Sequence, residues 1–380
     1  MDPRTLRALC DRIAQGGAGG GRPSWTLIRW RALCSGNPRI ARALWADSRG
    51  RIDDFHDLKI VTSLMSLTGD HARHEACLQR HDPGIRFADP SRQRRFHGMG
   101  VGGDSLNIYR LLEGPDGTSF EKTYRSDSPS LDALPFMHET VLPRIDGVRA
   151  PRLEHIERSD RLTVLRFQAV RMPAAPKLEL ERVAHTIARL ARADLSGLEI
   201  PPALRDFERG HIGKFGKRLR DQIRHAYPDR SGEILAALKR RRREIRSLPV
   251  VPCHGDLNRH NFSADGHVID WDLAGFYPHG YDAAYVAAKP WPYRDLAELR
   301  SLYATHFARA HGDPGDETAF LFFFLHFMQK FPRLSRNRKL FHELVQALEL
   351  LPAHHRPRAA ARDARSSRSV PSRRASRLPG

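Results

Sequence analysis

The sequence predicts an α+β chain of two unequal lobes, a small β-rich one followed by a larger helical one, with a further helical region in front. Three observations lead there. Residues 91–168 read as short strands around a strong turn, residues 169–352 read as helices, and residues 1–90 carry helical patterning of their own. A closing segment, 353–380, is rich in Arg, Ser, Ala and Pro and is expected to be disordered.

In the first region, Trp25–Cys34 and Phe55–Cys77 have helical spacing, and Gly16–Gly21 reads as a linker. In the second, Leu106–Leu112 and Ser119–Tyr124 read as strands flanking Glu113–Thr118, where Pro115-Asp116-Gly117 is strong turn chemistry. A second turn, Arg158–Asp160, precedes the strand Arg161–Gln168, and Leu131–Arg144 between the strands has helical character. In the third region helices dominate, interrupted by one short β-rich insert at Val268–Asp270. Its most apolar stretch, Ala319–Met328, is far shorter than the ~20 residues of a membrane span, so a buried helix is expected there. There is no internal repeat.

Composition narrows the class. Hydrophobic residues make 40% and charged residues 28% of 380, ordinary for a globular chain able to bury a large core. Cys10, Cys34, Cys77 and Cys253 lie far apart with no CxxC pair, which suits a reducing compartment, and the cytoplasm is the expected location. The net charge is +19, of which the tail's eight Arg and one Asp supply +7. A surface that remains basic without its tail favours anionic partners such as nucleic acid, acidic lipid or phosphorylated glycans, although a solvated arginine-rich surface is the plainer reading.

The informative segment is Val251-Pro-Cys-His-Gly-Asp-Leu-Asn-Arg-His-Asn-Phe262, followed by Gly266-His-Val-Ile-Asp-Trp-Asp-Leu-Ala-Gly275. Phosphoryl transfer requires a carboxylate for the proton of the attacking hydroxyl and oxygen ligands that hold Mg²⁺ against the nucleotide phosphates. Asp256 and Asn261 lie five positions apart on an irregular loop, so the carboxylate can face the acceptor while the amide oxygen turns to the metal. Asp270 follows the apolar pair Val268-Ile269 and supplies a second oxygen ligand. A zinc reading of Cys253, His254, His260, His267 and His279 lacks paired ligand spacing and leaves the Asp-Asn-Asp pattern unexplained.

The pattern HGDLNxxN followed by IDWD resembles the signature of the aminoglycoside phosphotransferases and of the choline, homoserine and fructosamine kinases. The resemblance implies a protein-kinase-like fold, ATP as donor, Asp256 as catalytic base, and Asn261 and Asp270 as Mg²⁺ ligands. It implies His254 as a structural residue behind the loop and Asp282, in Gly280-Tyr-Asp-Ala-Ala284, as a brace from the next helix. Gly255 stands where protein kinases carry the Arg of HRD, and Asn258 where they carry Lys; both differences point away from a protein acceptor. Asp272 is open between touching metal and capping backbone, with capping favoured.

In the β-rich lobe, Gly98, Gly100, Gly102 and Gly103 form a glycine-rich loop whose N–H groups can approach phosphate oxygens. Alternation places Phe120, Lys122 and Tyr124 on one strand face and Glu121 on the other, where solvent is expected. A lysine between aromatics on a buried-looking face calls for phosphate and a carboxylate. Glu139 is the natural partner, with Glu154 and Glu157 nearby in sequence, and the resemblance implies the Lys122–Glu139 pair. It also makes Val164–Val170 the inter-lobe hinge, where Arg166 and Gln168 stand in place of an acidic residue, leaving ATP against GTP open.

For the acceptor, the balance after Ala283 is informative. Up to Leu351, Asp295, Glu298, Asp313, Asp316, Glu317, Glu343 and Glu349 face nine Lys or Arg. That balance argues against a polycationic antibiotic and favours a neutral or anionic hydroxyl compound, such as a sugar, a glycan or a lipid-linked group. Trp291, Tyr293 and Phe320–Phe324 read as core first and as an aromatic wall for a ligand second. The rival class is a basic binding protein, including a nucleotide-binding pseudokinase, docked on nucleic acid or membrane through its arginine-rich tail. The full set of expected catalytic residues favours the active enzyme.

Overall fold

The computed structural model describes residues 3–15, 23–87, 95–96, 107–114, 117–173, 179–207, 212–289, 293–308 and 314–350. The glycine-rich segment 98–103, Trp291 and the basic tail lie outside the described residues.

Five helices come first: α1 (Pro3–Gln15), α2 (Trp25–Leu33), α3 (Pro38–Ser48), α4 (Phe55–Met65) and α5 (His71–His81). Local chemistry sets the starts of the last four. Ser24, Asn37, Asp54 and Asp70 each accept a hydrogen bond from a first-turn N–H, which satisfies a donor that the helix leaves orphaned. The continuous helix expected over Phe55–Cys77 is two helices. Gly69 adopts a left-handed conformation (φ +68°) and Asp70 restarts the chain as the cap of α5.

The sheet contains β1 (Arg95–Phe96), β2 (Asn107–Gly114), β3 (Gly117–Arg125), β4 (Leu153–Arg158) and β5 (Leu162–Gln168), in the order β1-β2-β3-β5-β4 and antiparallel throughout. The hairpin register pairs Gly114 with Gly117 and therefore Arg110 with Glu121 and Tyr109 with Lys122. One face buries Tyr124, Leu165 and Phe167 toward α6 (Ser130–Phe136), whose helical path continues to Arg144, and toward the second lobe. The other face buries Ile108, Leu162 and Val164 in a separate core built with α1–α5. The leading helices thus cover the back of the sheet.

This cover corrects the expectation for Glu121. It is fully buried and accepts from the guanidiniums of Arg110 and Arg166, while Arg110 also donates to Glu75 of α5 at 2.8 Å. Burial opposes the carboxylate's charge, but the two guanidiniums outweigh it and hold the Glu121 pKa below its ordinary value. Arg166, a feature of the expected hinge, is occupied in this cluster. Asp82 fastens the end of α5 to the β4–β5 turn by accepting from Ser159 and from the N–H groups of Arg161 and Leu162.

The second lobe consists of α7 (Leu180–Ala191), α8 (Gly213–Ala226), α9 (Ser231–Arg246), α10 (Tyr281–Ala287), α11 (Leu296–Leu302), α12 (Pro314–Phe327), α13 (Pro332–Ser335) and α14 (Arg338–Leu350), with a two-stranded ribbon of β6 (Val250–Cys253) and β7 (Gly275–Pro278). Phe320, Phe322, Phe323, Phe324 and Phe327 on α12 are all at most 1% exposed, so the apolar run is core and not a ligand wall. Tyr293 packs on Phe324 in the same core. Instead of a strand at Val268–Asp270 there is a single bridge, Phe262 to Val268; the regular pairing belongs to β6 and β7 on either side. No helix among the described residues is long and apolar enough to cross a membrane.

Candidate active site

The ribbon presents the connection between β6 and β7 at the junction of the lobes. Gly255 is left-handed at φ +82°, and a Cβ there would lie 2.0 Å from the carbonyl oxygen of Leu273. Only glycine allows the two limbs of this connection to approach so closely. Asp282 of α10 accepts from the N–H of His254 at 2.7 Å and of Gly255 at 2.9 Å, bracing the loop from behind. Burial pushes its carboxyl pKa up, while His254 and the two N–H groups work in the other direction. His254 is fully buried against Trp271; its Nδ1 accepts from the Asp256 N–H and its Nε2 bonds to the Ile269 carbonyl at 2.8 Å. That imidazole ties one limb of the loop to the other.

Asn258 and Asn261 both donate through Nδ2 to the Asp256 carbonyl at 2.9 Å. The Asn261 amide nitrogen is thereby engaged, which leaves its oxygen as the atom available to a cation. The Ile269 N–H donates to the Asn261 carbonyl at 2.9 Å, so Asp270 follows directly on a residue tied to Asn261. Asp270 is the one non-glycine residue with positive φ (+69°) among the described residues, a strained setting.

Lys122 reaches this loop from β3. Its Nζ donates to Asp270 at 2.6 Å and to Asp272 at 2.7 Å, and Tyr124 donates to Asp272 at 2.9 Å. Burial works against the ammonium, but the two carboxylates outweigh it and raise the Lys122 pKa well above its usual value. Burial likewise raises the Asp272 pKa, opposed by Lys122. Asp272 is thus a partner of the β-lobe lysine.

The expected Lys122–Glu139 pair is not formed. Met137 and Val141, one helical turn apart, are buried, which leaves Glu139 between them on the exposed side. His138 is what this helix turns toward the sheet: its Nδ1 bonds to the Pro151 carbonyl at 3.0 Å and its ring lies 5.0 Å from Phe167. Burial, with the nearby charge of Lys122, lowers its pKa to about 4.

Around Asp256 itself are residues that sequence reasoning missed. Tyr285 of α10 donates to Asp256 Oδ1, Lys330 donates to the Tyr285 hydroxyl at 2.5 Å, and Lys330 Nζ lies 4.0 Å from Asp256 Oδ1. Lys289 donates to the Leu257 carbonyl at 3.1 Å, and both lysines lie over the Tyr285 ring at 4.7 and 4.8 Å. Asp282 and Tyr285, three apart on α10, with Lys289 two residues past its end, are a readable signal. Lys330 gave none, because only the fold brings the end of α12 to this loop.

The donor set fits a hard divalent cation held together with phosphate oxygens. One carboxylate at Asp270 and one amide oxygen at Asn261 are too few for a closed cage and suited to Mg²⁺, which keeps water and phosphate as its remaining ligands.

Residues 100–321 match the model of the phosphotransferase enzyme family. No curated protein matches. Among solved structures, an aminoglycoside phosphotransferase of Streptomyces rimosus is 21% identical, with a TM-score of 0.37, over 58% of this chain and 88% of that one. A macrolide 2′-phosphotransferase of Brachybacterium faecium is 14% identical, with a TM-score of 0.38, over 70% of this chain and 95% of that one. These likenesses are weak, and the assignment rests on the sequence match across more than half the chain: the protein belongs to the phosphotransferase enzyme family.

Proposed function

We propose that the protein transfers the γ-phosphoryl group of ATP to a hydroxyl of a small molecule or glycan, with Asp256 as base. The observation that carries this reading is the reach of Lys122 across the lobes to Asp270 and Asp272, 148 and 150 positions away. A fully charged lysine and paired acids at a lobe junction, beside a carboxylate on a braced loop, are the parts a phosphoryl transfer requires.

Asn261 and Asp270 are the residues that would hold Mg²⁺, which when bound neutralises charge on the phosphates. Lys122 would orient phosphate oxygens, and the sequence reading assigns their cover by backbone N–H groups to Gly98, Gly100, Gly102 and Gly103. GTP in place of ATP is a question for the same assay. In the reaction the acceptor O–H proton passes to the Asp256 carboxylate, the new O–P bond forms, and the γ-phosphorus to β-oxygen bond breaks to release ADP. Tyr285 donates to Oδ1 of Asp256 and so fixes the orientation of the carboxylate.

The test is acceptor-dependent ADP release with Mg-ATP over sugars, polyols, choline and aminoglycosides. Asp256→Asn is expected to lower turnover about 10²- to 10⁴-fold, the usual scale of general base catalysis, while thermal stabilisation by Mg-ATP is retained. Absence of any Mg-ATP stabilisation in the wild-type protein would refute the reading.

A further inference from the structure

Two lysines occupy the immediate surroundings of Asp256, a costly arrangement for which catalysis by a lone carboxylate gives no reason. Tyr285 is 1% exposed, yet Asp256 and Lys330 side chains are 27% and 30% exposed, so this group opens toward solvent on top of a buried ring. Lys289 belongs to the same group, and Arg259 on the loop adds a third positive charge within electrostatic reach of it. The neighbouring carboxylate, Asp282, is turned away to the backbone N–H groups of residues 254 and 255. Among the described residues, the charges acting on Lys289 are thus two cations, Lys330 and Arg259, and one carboxylate, Asp256.

We propose that Lys289 and Lys330 form an anion-binding subsite, so that the acceptor is a hydroxyl compound carrying a phosphate or carboxylate group. The inference rests on the reading of Asp256 as base and names the acceptor class that base serves. Lys330 touches the hydroxyl that in turn touches Asp256, which places a bound anion within a few bonds of the hydroxyl to be phosphorylated. Ammonium groups are compact, mobile point charges that suit such an anion. The nucleotide side already has its own cation in Lys122, held by two acids. The state of Lys289 agrees: burial, with the charges of Lys330 and Arg259 and against that of Asp256, lowers its pKa to about 7, and an incoming anion would restore its proton. A polycation would be repelled from the same place.

Matched acceptors test this directly: glycerol against glycerol 3-phosphate, and glucose against gluconate and glucose 6-phosphate, each with Mg-ATP. The anionic member is expected to have about tenfold or greater kcat/KM, the scale of one charge-assisted hydrogen bond. Lys289→Met and Lys330→Met should remove that preference mainly through KM. Equal use of neutral and anionic members would overturn the proposal. So would a fall in kcat that is the same for both, which would assign the lysines to the transferred phosphoryl group.

A binding measurement covers an acceptor outside the panel. With Mg²⁺ and a non-hydrolysable ATP analogue present, pyridoxal 5′-phosphate followed by borohydride should label Lys289 or Lys330 about tenfold more than pyridoxal, read by peptide mass spectrometry. Equal labelling by the two aldehydes would overturn the subsite while leaving the kinase reading intact. Loss of Mg-ATP stabilisation, by contrast, would strike the kinase reading itself.

Discussion

Replacing Gly255 by alanine tests whether the loop of the proposed base Asp256 depends on one close backbone approach. The residue is left-handed, φ +82°, which costs a non-glycine residue about 1–2 kcal/mol. Its new Cβ would stand 2.0 Å from the Leu273 carbonyl oxygen, and relief to even 3.0 Å demands a shift of about 1 Å. Either limb that moves carries chemistry: Asp256 adjoins Gly255, and Asp272 adjoins Leu273. A misplacement of about 1 Å costs on the order of 10²-fold in rate. Gly36 is the control, since it is also left-handed (φ +68°) but has nothing within 4 Å of a Cβ. Steady-state turnover and thermal denaturation of both variants are to be compared. Gly36→Ala should lose only the backbone cost, and Gly255→Ala should lose that and about a hundredfold of kcat. Two variants of equal activity would refute the claim that this approach positions the site.

Glu121→Ala leaves the buried Arg110 and the half-buried Arg166 without their shared carboxylate, so urea denaturation should show a loss of about 3–5 kcal/mol; a loss under about 1 kcal/mol would mean the cluster is not tightly packed. His138, whose pKa falls from an ordinary 6.5 to about 4, stays neutral in the fold while the unfolded chain takes up a proton. Its contribution is therefore present above pH 6.5 and lost as pH falls toward about 4, and His138→Gln should flatten the stability profile in that window. Cys253 is buried with its thiol pushed up by burial, whereas Cys34 is exposed, so a thiol reagent on the native protein should label Cys34 and spare Cys253.

What was legible in the sequence follows the range of the interactions. The loop between β6 and β7 is readable because Asp256, Asn261 and Asp270 are placed by local chemistry: an irregular connection, a glycine that must be glycine, and a short apolar pair. The inward face of β3 was readable from alternation alone, which puts Phe120, Lys122 and Tyr124 together. Partners were harder. Lys122 and Glu139 had suitable spacing, but helical phase, set by burial of Met137 and Val141, turned Glu139 outward. Glu121 looked solvated because nothing local announces that α4 and α5 cover that face. Lys330 is beyond any pattern, since tertiary packing of α12 on α10 alone brings it to Tyr285.

The two faces of β3 explain why the leading helices matter to the site. A strand covered on both sides should be apolar on both, yet β3 carries Glu121 on one face and Lys122 on the other. Each charge is held by a pair of opposite charges: Arg110 and Arg166 behind, Asp270 and Asp272 in front. Removing either pair would strand a buried ion, so the fold must keep both sides assembled. Glu75 of α5 completes the rear cluster, and Asp82 pins the same helix to the β4–β5 turn. The helical extension is therefore joined to the sheet by the same class of interaction that joins the sheet to the β6–β7 loop. Displacing α5 would disturb the strand one residue from the lysine that reaches across to Asp270. On this argument the region ahead of the sheet sets the position of Lys122 from behind, as Asp282 sets that of Asp256.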